Sequence, residues 1–347
     1  MKRLSSLRRT LAALALCAWA GASHAEMGLT ALPSAPGLAG PVTVFYPSPD
    51  ADRPLQRGPT ALMAAENGAP AAGNGGLVVI SHGSGGSPWT FTEIARRLVR
   101  AGFVVALPEH EGDNWHDHRL VGPESWKRRP VEVSRAIDAV LADARWAGRL
   151  DANQIGMYGM SAGGHTALAL AGGRWSPARL AAHCDAHIGE DFNGCVGLST
   201  ELTGGLLDGP KKAMARWIVN RRFNDASAYG HTDPRIRAIV AEVPLAADFD
   251  PATLAQPVAP LGLVRAGADR WLVPRFHIDP VRAACTACEL LVDMPEAGHG
   301  AFLAPPVPEP PPLLRRLLSY DEPIAPARLE QAHAQIVAFF QRRLSVH

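Results

Sequence analysis

Short, wholly apolar runs alternate along this chain with longer stretches in which apolar residues recur every three or four positions. Leu77-Val78-Val79-Ile80 is the clearest run of the first kind. Four apolar residues with no polar face suit a strand covered on both sides. Phe103–Leu107, Ile155–Tyr158, Ile236–Val243, Leu261–Val264 and Leu290–Met294 repeat that pattern, and Val42–Tyr46 precedes them. Between them, Phe91–Arg100, Pro130–Ala147, Gly163–Leu170 and Glu330–Leu344 read as helices. Pro130 stands at a first turn, where its missing N–H costs nothing, with Val133, Ile137, Val140 and Leu141 on one side. Strand–helix alternation with apolar strands predicts a doubly wound, mostly parallel α/β sheet with helices on both faces.

Three segments break the rhythm. Residues 48–76, rich in Pro, Gly, Ala and Asn, read as turns around one weak strand. Residues 172–232 hold two cysteines, Trp217 and several glycines but no clear strand, and are long enough for a cap-like insertion. Its stretch of Leu206, Leu207, Met214, Trp217 and Ile218 among lysines and arginines needs something to bury against. The expectation is a cap over the active-site edge. Residues 304–327 carry a run of prolines and read as a second excursion. Residues 26–347 are thus expected to form a single domain with an insertion at about 172–232.

Residues 1–25 read differently. Lys2, Arg3, Arg8 and Arg9 precede the short apolar run Leu11–Ala20, and Ser23-His24-Ala25 offers a small-residue cleavage site. That is the layout of a secretory signal peptide, which predicts a periplasmic or secreted bacterial protein. Without Cys17, four cysteines remain: Cys184, Cys195, Cys285 and Cys288. In an oxidising compartment they tend to pair, and local pairing (Cys184 with Cys195, Cys285 with Cys288) is the cheapest topology. The 347-residue chain carries 34 Lys+Arg against 33 Asp+Glu, a net charge of +1, which leaves no basic footprint for nucleic acid. No later stretch is apolar enough to span a bilayer, so no stable membrane insertion is expected. Oligomeric state leaves no mark in the sequence.

The chemistry centres on Gly159-Met160-Ser161-Ala162-Gly163, between the strand ending at Tyr158 and a helix. A serine on a sharp strand-to-helix turn takes a strained backbone, and glycines clear the space around it. The helix N-terminus then adds free N–H groups near the hydroxyl. A serine is a weak nucleophile and needs a base. Of 13 histidines, His299 lies in a glycine-flanked loop after the last strand. The acid that orients it belongs after the preceding strand, where Asp269 stands, with Asp248, Asp250 and Asp279 as rivals. An oxyanion needs two backbone donors. One is the N–H of Ala162; the other comes from the small-residue loop Ser81-His82-Gly83-Ser84-Gly85-Gly86. That loop lacks the spacing of a nucleotide-binding motif.

Together with Pro108-Glu109-His110 after a strand and Arg129-Pro130 in a helix, these motifs resemble α/β-hydrolases. Most similar are bacterial predicted dienelactone hydrolases, related to platelet-activating-factor acetylhydrolases, over about residues 40–345. The resemblance implies a Ser161–His299–Asp269 triad, with Ser84 giving the second oxyanion N–H. Dienelactone hydrolases proper use cysteine as nucleophile. Serine here favours ordinary serine-esterase chemistry on a small-molecule ester of short or medium acyl chain, with no cofactor and no metal.

Two other clusters carry metal-ligand residue types. Glu109 to His118 is dense in Glu, His and Asp, and reads as a polar loop rimming the pocket. His183-Cys184-Asp185-Ala186-His187 is the second. Trp89 and Trp115 are candidates for the pocket wall or for packing. The alternatives to an esterase are a peptidase on the same triad, which shows no propeller or peptide-terminus site, and a non-catalytic metal- or ligand-binding protein.

Overall fold

The computed structural model of the protein describes residues 26–34 and 40–344. The expected signal peptide and Cys17 lie outside them. Four strands open the chain: β1 (Glu26–Leu32) and β2 (Val42–Ser48) pair antiparallel, and β3 (Arg53–Arg57) and β4 (Thr60–Glu66) form a hairpin. The expected alternation follows as β5 (Leu77–Ser81), α1 (Thr92–Arg100), β6 (Val104–Pro108), α2 (Pro123–Ala142), β7 (Ile155–Met160) and α3 (Ala162–Leu170). The excursion comprises β8 (Arg174–Trp175), α4 (Pro177–His187), α5 (Phe192–Val196) and α6 (Asp208–Arg222). Then come β9 (Ile236–Glu242), β10 (Phe249–Asp250), β11 (Leu261–Ala266), α7 (Ile278–Ala284), β12 (Glu289–Met294), α8 (Pro312–Leu317) and α9 (Pro326–Leu344).

Ten strands form one sheet in the order β12-β11-β9-β7-β5-β6-β2-β1-β4-β3. The six from β12 to β6 run parallel, and β2 turns the sheet antiparallel. The apolar runs explain the parallel centre. Leu77 and Val79 enter the core under α2 and α3, while Val78 and Ile80 enter the core under α1 and α9. Every residue of β5 is buried, so a polar residue on either face would meet apolar side chains.

Three details depart from expectation. Residues 53–66 form a whole hairpin, because β4 alternates buried and exposed residues through Ala and Met, which signal strands weakly. Helix α2 begins at Pro123, seven residues before Pro130, which lies inside it. Pro123 thus takes the first-turn role assigned to Pro130, and the internal proline removes one helical hydrogen bond. Within 172–232 there is one two-residue strand, β8, paired with β10. Both local cysteine pairs are bonded, Cys184–Cys195 between α4 and α5 and Cys285–Cys288 ahead of β12. Among the described residues, no helix is long and apolar enough to cross a membrane.

Candidate active site

The turn from β7 into α3 holds Ser161 at φ 59° and ψ −117°, a conformation that side chains disfavour. The surroundings compel it. A Cβ on Gly159 would lie 1.9 Å from the Gly163 carbonyl oxygen, and one on Gly163 would lie 1.8 Å from the Ser81 carbonyl oxygen. The turn is pinned to the next strand, since Ser161 N–H donates to the Glu242 carbonyl (3.0 Å) and Leu245 N–H to the Ser161 carbonyl (3.2 Å). Strain at one residue, of order 1–3 kcal/mol, is thereby held by rigid neighbours.

His299 lies in the loop after β12 and is almost wholly buried. Its Nε2 is 2.9 Å from the Ser161 Oγ, and its Nδ1 is 2.6 Å from Asp269 Oδ2. The second carboxylate oxygen, Oδ1, accepts from the Trp271 N–H (2.8 Å) and the Leu272 N–H (2.9 Å). Asp269 is thus fixed by backbone on one oxygen and offers the other to His299. That arrangement leaves Nδ1 protonated and Nε2 free to accept the serine proton. The structure brings Ser161, His299 and Asp269 together across 138 residues of sequence. Asp269's rivals stand elsewhere: Asp248 bonds His165 Nε2 (3.0 Å), Asp250 bonds Arg179 (2.8 Å), and Asp279 bonds Arg265 (2.7 Å).

Ala162 opens α3, so its N–H has no acceptor within the helix. Ser84 lines the same pocket as Ser161. The Ser84 hydroxyl donates to Asp113 Oδ1 (2.7 Å), as does the Gly85 N–H (2.9 Å). The Gly85 amide is thus engaged away from the pocket.

Behind that loop sits a buried charged cluster. Arg129 Nη2 lies 2.9 Å from Asp113 Oδ2, and both side chains are fully buried. Arg129 also donates through Nη1 to the His82 carbonyl (2.5 Å) and through Nε to Ser125 Oγ (2.9 Å). Burial alone would raise the Asp113 carboxyl. The Arg129 charge and donors from Ser84, Gly85 and Ser125 outweigh it and hold Asp113 well below the usual carboxylate range. His110 joins the cluster: its Nε2 is 2.7 Å from Ser81 Oγ and its Nδ1 2.6 Å from Glu132 Oε2. Burial and the Arg129 charge push the His110 imidazole well down, so it is neutral there. Burial pushes Glu132 up, against the pull of Arg129.

The segment Glu109–His118 therefore reaches inward more than it rims the pocket. His110 and Asp113 serve the buried cluster, while Glu109 holds the Trp115 indole N–H (3.0 Å) and His116 (2.6 Å). The second cluster also resolves into pairs, with His183 and His277 both on Asp191 Oδ2 (2.8 and 3.0 Å). Under Ser161, Glu242 is fully buried against the Tyr158 hydroxyl, which donates to it. Burial pushes this carboxyl up to about 8, and the Tyr158 hydroxyl opposes it.

The pocket over Ser161 has a volume of about 90 Å³. Its apolar wall comes from Phe91, Trp271, Leu303, Val307, Leu314 and Leu318. None of the lining residues comes from 172–232, so the expected cap does not cover this pocket. The proline-rich segment and α8 do so instead. Neither Trp89 nor Trp115 lines it; Trp89 packs on the core and Trp115 lies against Gly58. Trp271, 5.1 Å from the His299 ring between centroids, takes the place sought for them. Its signal in the sequence was its position two residues after Asp269.

The profile of the dienelactone hydrolase family matches residues 61–187. That stretch holds Ser161 but ends before Asp269 and His299. A ferulic acid esterase from Streptomyces cinnamoneus, solved at 2.4 Å, superposes with a TM-score of 0.54 over 93% of this chain and 91% of its own, at 17% identity. Such a likeness establishes the α/β-hydrolase fold and leaves the substrate open, the more so as 532 solved chains match. No curated protein matches the chain significantly.

Proposed function

We propose that this chain is a serine hydrolase that cleaves carboxylic esters of short acyl chain through an acyl-enzyme. The observation that carries the reading is the unbroken line of contacts from Ser161 Oγ through His299 to Asp269, ending in a pocket. Ser161 Oγ attacks the ester carbonyl as its proton passes to His299 Nε2. Asp269 keeps the imidazole oriented and stabilises the imidazolium without taking the proton. The N–H groups of Ala162 and Ser84 receive the oxyanion, with Asp113 and Arg129 holding the second of these in place. His299 then protonates the departing alcohol, and water, deprotonated by the same nitrogen, releases the acid.

The partial match to the dienelactone hydrolase family and the likeness to a ferulic acid esterase support an ester substrate. The pocket supports a small acyl group. Its volume of about 90 Å³ is below the roughly 150 Å³ of a cavity that takes benzene, so a few carbons fill it. The two disulfides suit an exported protein, in line with the signal-peptide pattern of residues 1–25.

A series of p-nitrophenyl esters from acetate to decanoate tests this reading. Highest kcat/KM is expected at two to four carbons, abolished by Ser161→Ala. A preference for long chains would overturn the assignment of the acyl pocket. Activity retained in Ser161→Ala would overturn the nucleophile.

A further inference from the structure

The excursion that fails to cap the pocket carries an unburied apolar stripe. Helix α6 uses Ala215 and Val219 as its buried contacts, and it packs on α4 and α5. On the other side, Leu207, Met214, Trp217 and Ile218 recur at helical spacing and face solvent. Met214 is 58% and Trp217 59% exposed, and Leu206 just ahead of the helix is 99% exposed. An isolated exposed leucine needs no explanation; five large apolar side chains on one short segment do.

The charges around the stripe indicate what covers it. Helix α6 holds five cations, Lys211, Lys212, Arg216, Arg221 and Arg222, and one acid, Asp208. Asp208 is spent locally, accepting from the Thr203 and Gly204 N–H groups. Among the described residues, none of the ion pairs involves Arg216, Arg221 or Arg222, and all three are exposed. Arg221 lies over the Trp217 ring at 5.3 Å, which joins a cation to the ring that suits a membrane interface. A chain of net charge +1 has thus gathered cations beside its most exposed apolar side chains. A protein partner needs apolar complementarity, whereas a lipid surface needs an apolar stripe flanked by cations.

One end of α6 is tied to an element of the pocket wall and the other to the start of α2. Ahead of it, Glu201 pairs with Arg316 of α8 (3.2 Å), whose Leu314 lines the pocket. Behind it, Phe223 lies against Gly122 and the Trp126 ring, in the segment whose His118 packs on Gly85.

We infer that α6, with Leu206 and Leu207, is a docking surface for an anionic lipid bilayer, on which it lies in the headgroup plane without spanning. This is peripheral binding and is independent of whether the chain hydrolyses esters. The stripe supplies apolar insertion, and the arginines supply attraction that salt screens.

Co-sedimentation of the full mature chain with sucrose-loaded vesicles tests it, using phosphatidylglycerol/phosphatidylcholine mixtures against pure phosphatidylcholine. The wild type is expected to pellet at least tenfold more on the anionic vesicles at 50 mM salt, and to lose most of that at 500 mM. Brominated lipid should quench wild-type fluorescence more than that of Trp217→Phe. The double substitution Met214→Ser/Ile218→Ser and the charge reversal Arg216→Glu/Arg221→Glu/Arg222→Glu alter exposed positions only. Each should release the protein from vesicles while leaving its circular dichroism and any esterase activity in solution intact. No binding, equal binding to both vesicle types, or a wild-type dimer that these variants dissociate would overturn the inference.

Discussion

Two serines in this molecule each lead through a histidine to a carboxylate at nearly the same distances. Ser161, His299 and Asp269 are linked by contacts of 2.9 and 2.6 Å, and Ser81, His110 and Glu132 by contacts of 2.7 and 2.6 Å. What separates them is the backbone beneath the serine. Ser81 ends a strand whose every residue is buried, and it is not among the residues that line the pocket over Ser161. Ser161 stands on a left-handed turn at a helix N-terminus and lines a pocket. The same hydrogen-bonded chain thus lines a pocket in one place and lies within the buried sheet in the other, and the proposed function assigns chemistry only to the first. Serine–histidine–carboxylate distances alone do not distinguish the two; the pocket, the strained φ and the helix N-terminus favour Ser161 as the proposed nucleophile.

The largest effects should separate the two chains by activity. Ser161→Ala is expected to lower kcat by about five to six orders of magnitude with the fold retained. Asp269→Asn, which leaves the shape but disrupts the tautomer, should cost about 10⁴ in kcat. Steady-state kinetics on a short ester, with circular dichroism as the folding control, reads both. Equal losses in Ser81→Ala would erase the distinction.

The Asp113–Arg129 pair comes next, since it ties the buried chain to the pocket loop. Asp113→Asn leaves a buried guanidinium without its charge partner, at about 3–5 kcal/mol of stability. It also loosens the Ser84–Gly85 turn without removing a donor, so kcat should fall roughly 10–100-fold, at or below the roughly 10²–10³ for outright loss of one oxyanion donor, at little change in KM. A rise in KM at constant kcat would mean that the loop binds substrate and does not stabilise the transition state.

Ser81→Ala should read on stability alone. The His110 Nε2 loses its buried donor at about 1–3 kcal/mol, visible as a lower urea midpoint, with kcat within about threefold of wild type.

The last effect is in the pH dependence of stability. Glu242 holds its proton in the fold up to about pH 8, whereas the unfolded chain releases it near 4.5. Its contribution to stability is therefore full below about 4.5, declines as pH rises, and is lost as pH passes 8. Glu242→Gln should flatten this alkaline decline in urea melts between pH 5 and 9. An unchanged slope would place the titration elsewhere.

Much of this layout was legible in the sequence. The wholly apolar strands announced a sheet covered on both faces, and the glycines around Ser161 announced the turn, because both follow from local sterics. Asp269 and His299 were legible from their places after consecutive strands. What escaped was non-local. Pro130 resembles a helix start until Pro123 is seen to open the same helix. Arg129 and Asp113 look like surface charges until the fold buries them together. The stripe on α6 spoke for burial, yet its side chains face solvent, because an apolar face requires a partner without naming it. The pocket wall came from Leu303, Val307, Leu314 and Leu318, set in a proline-rich stretch that carries no periodic signal.

Labelling with a fluorophosphonate probe, followed by mass spectrometry of the tryptic peptides, tests the central claim most directly. The probe reacts only with a serine activated by a base and reachable from solvent. The account predicts near-stoichiometric modification of Ser161, abolished in His299→Ala and untouched in Ser81→Ala. Modification of Ser81, or a folded wild-type protein that stays unlabelled while it hydrolyses short esters, would contradict it.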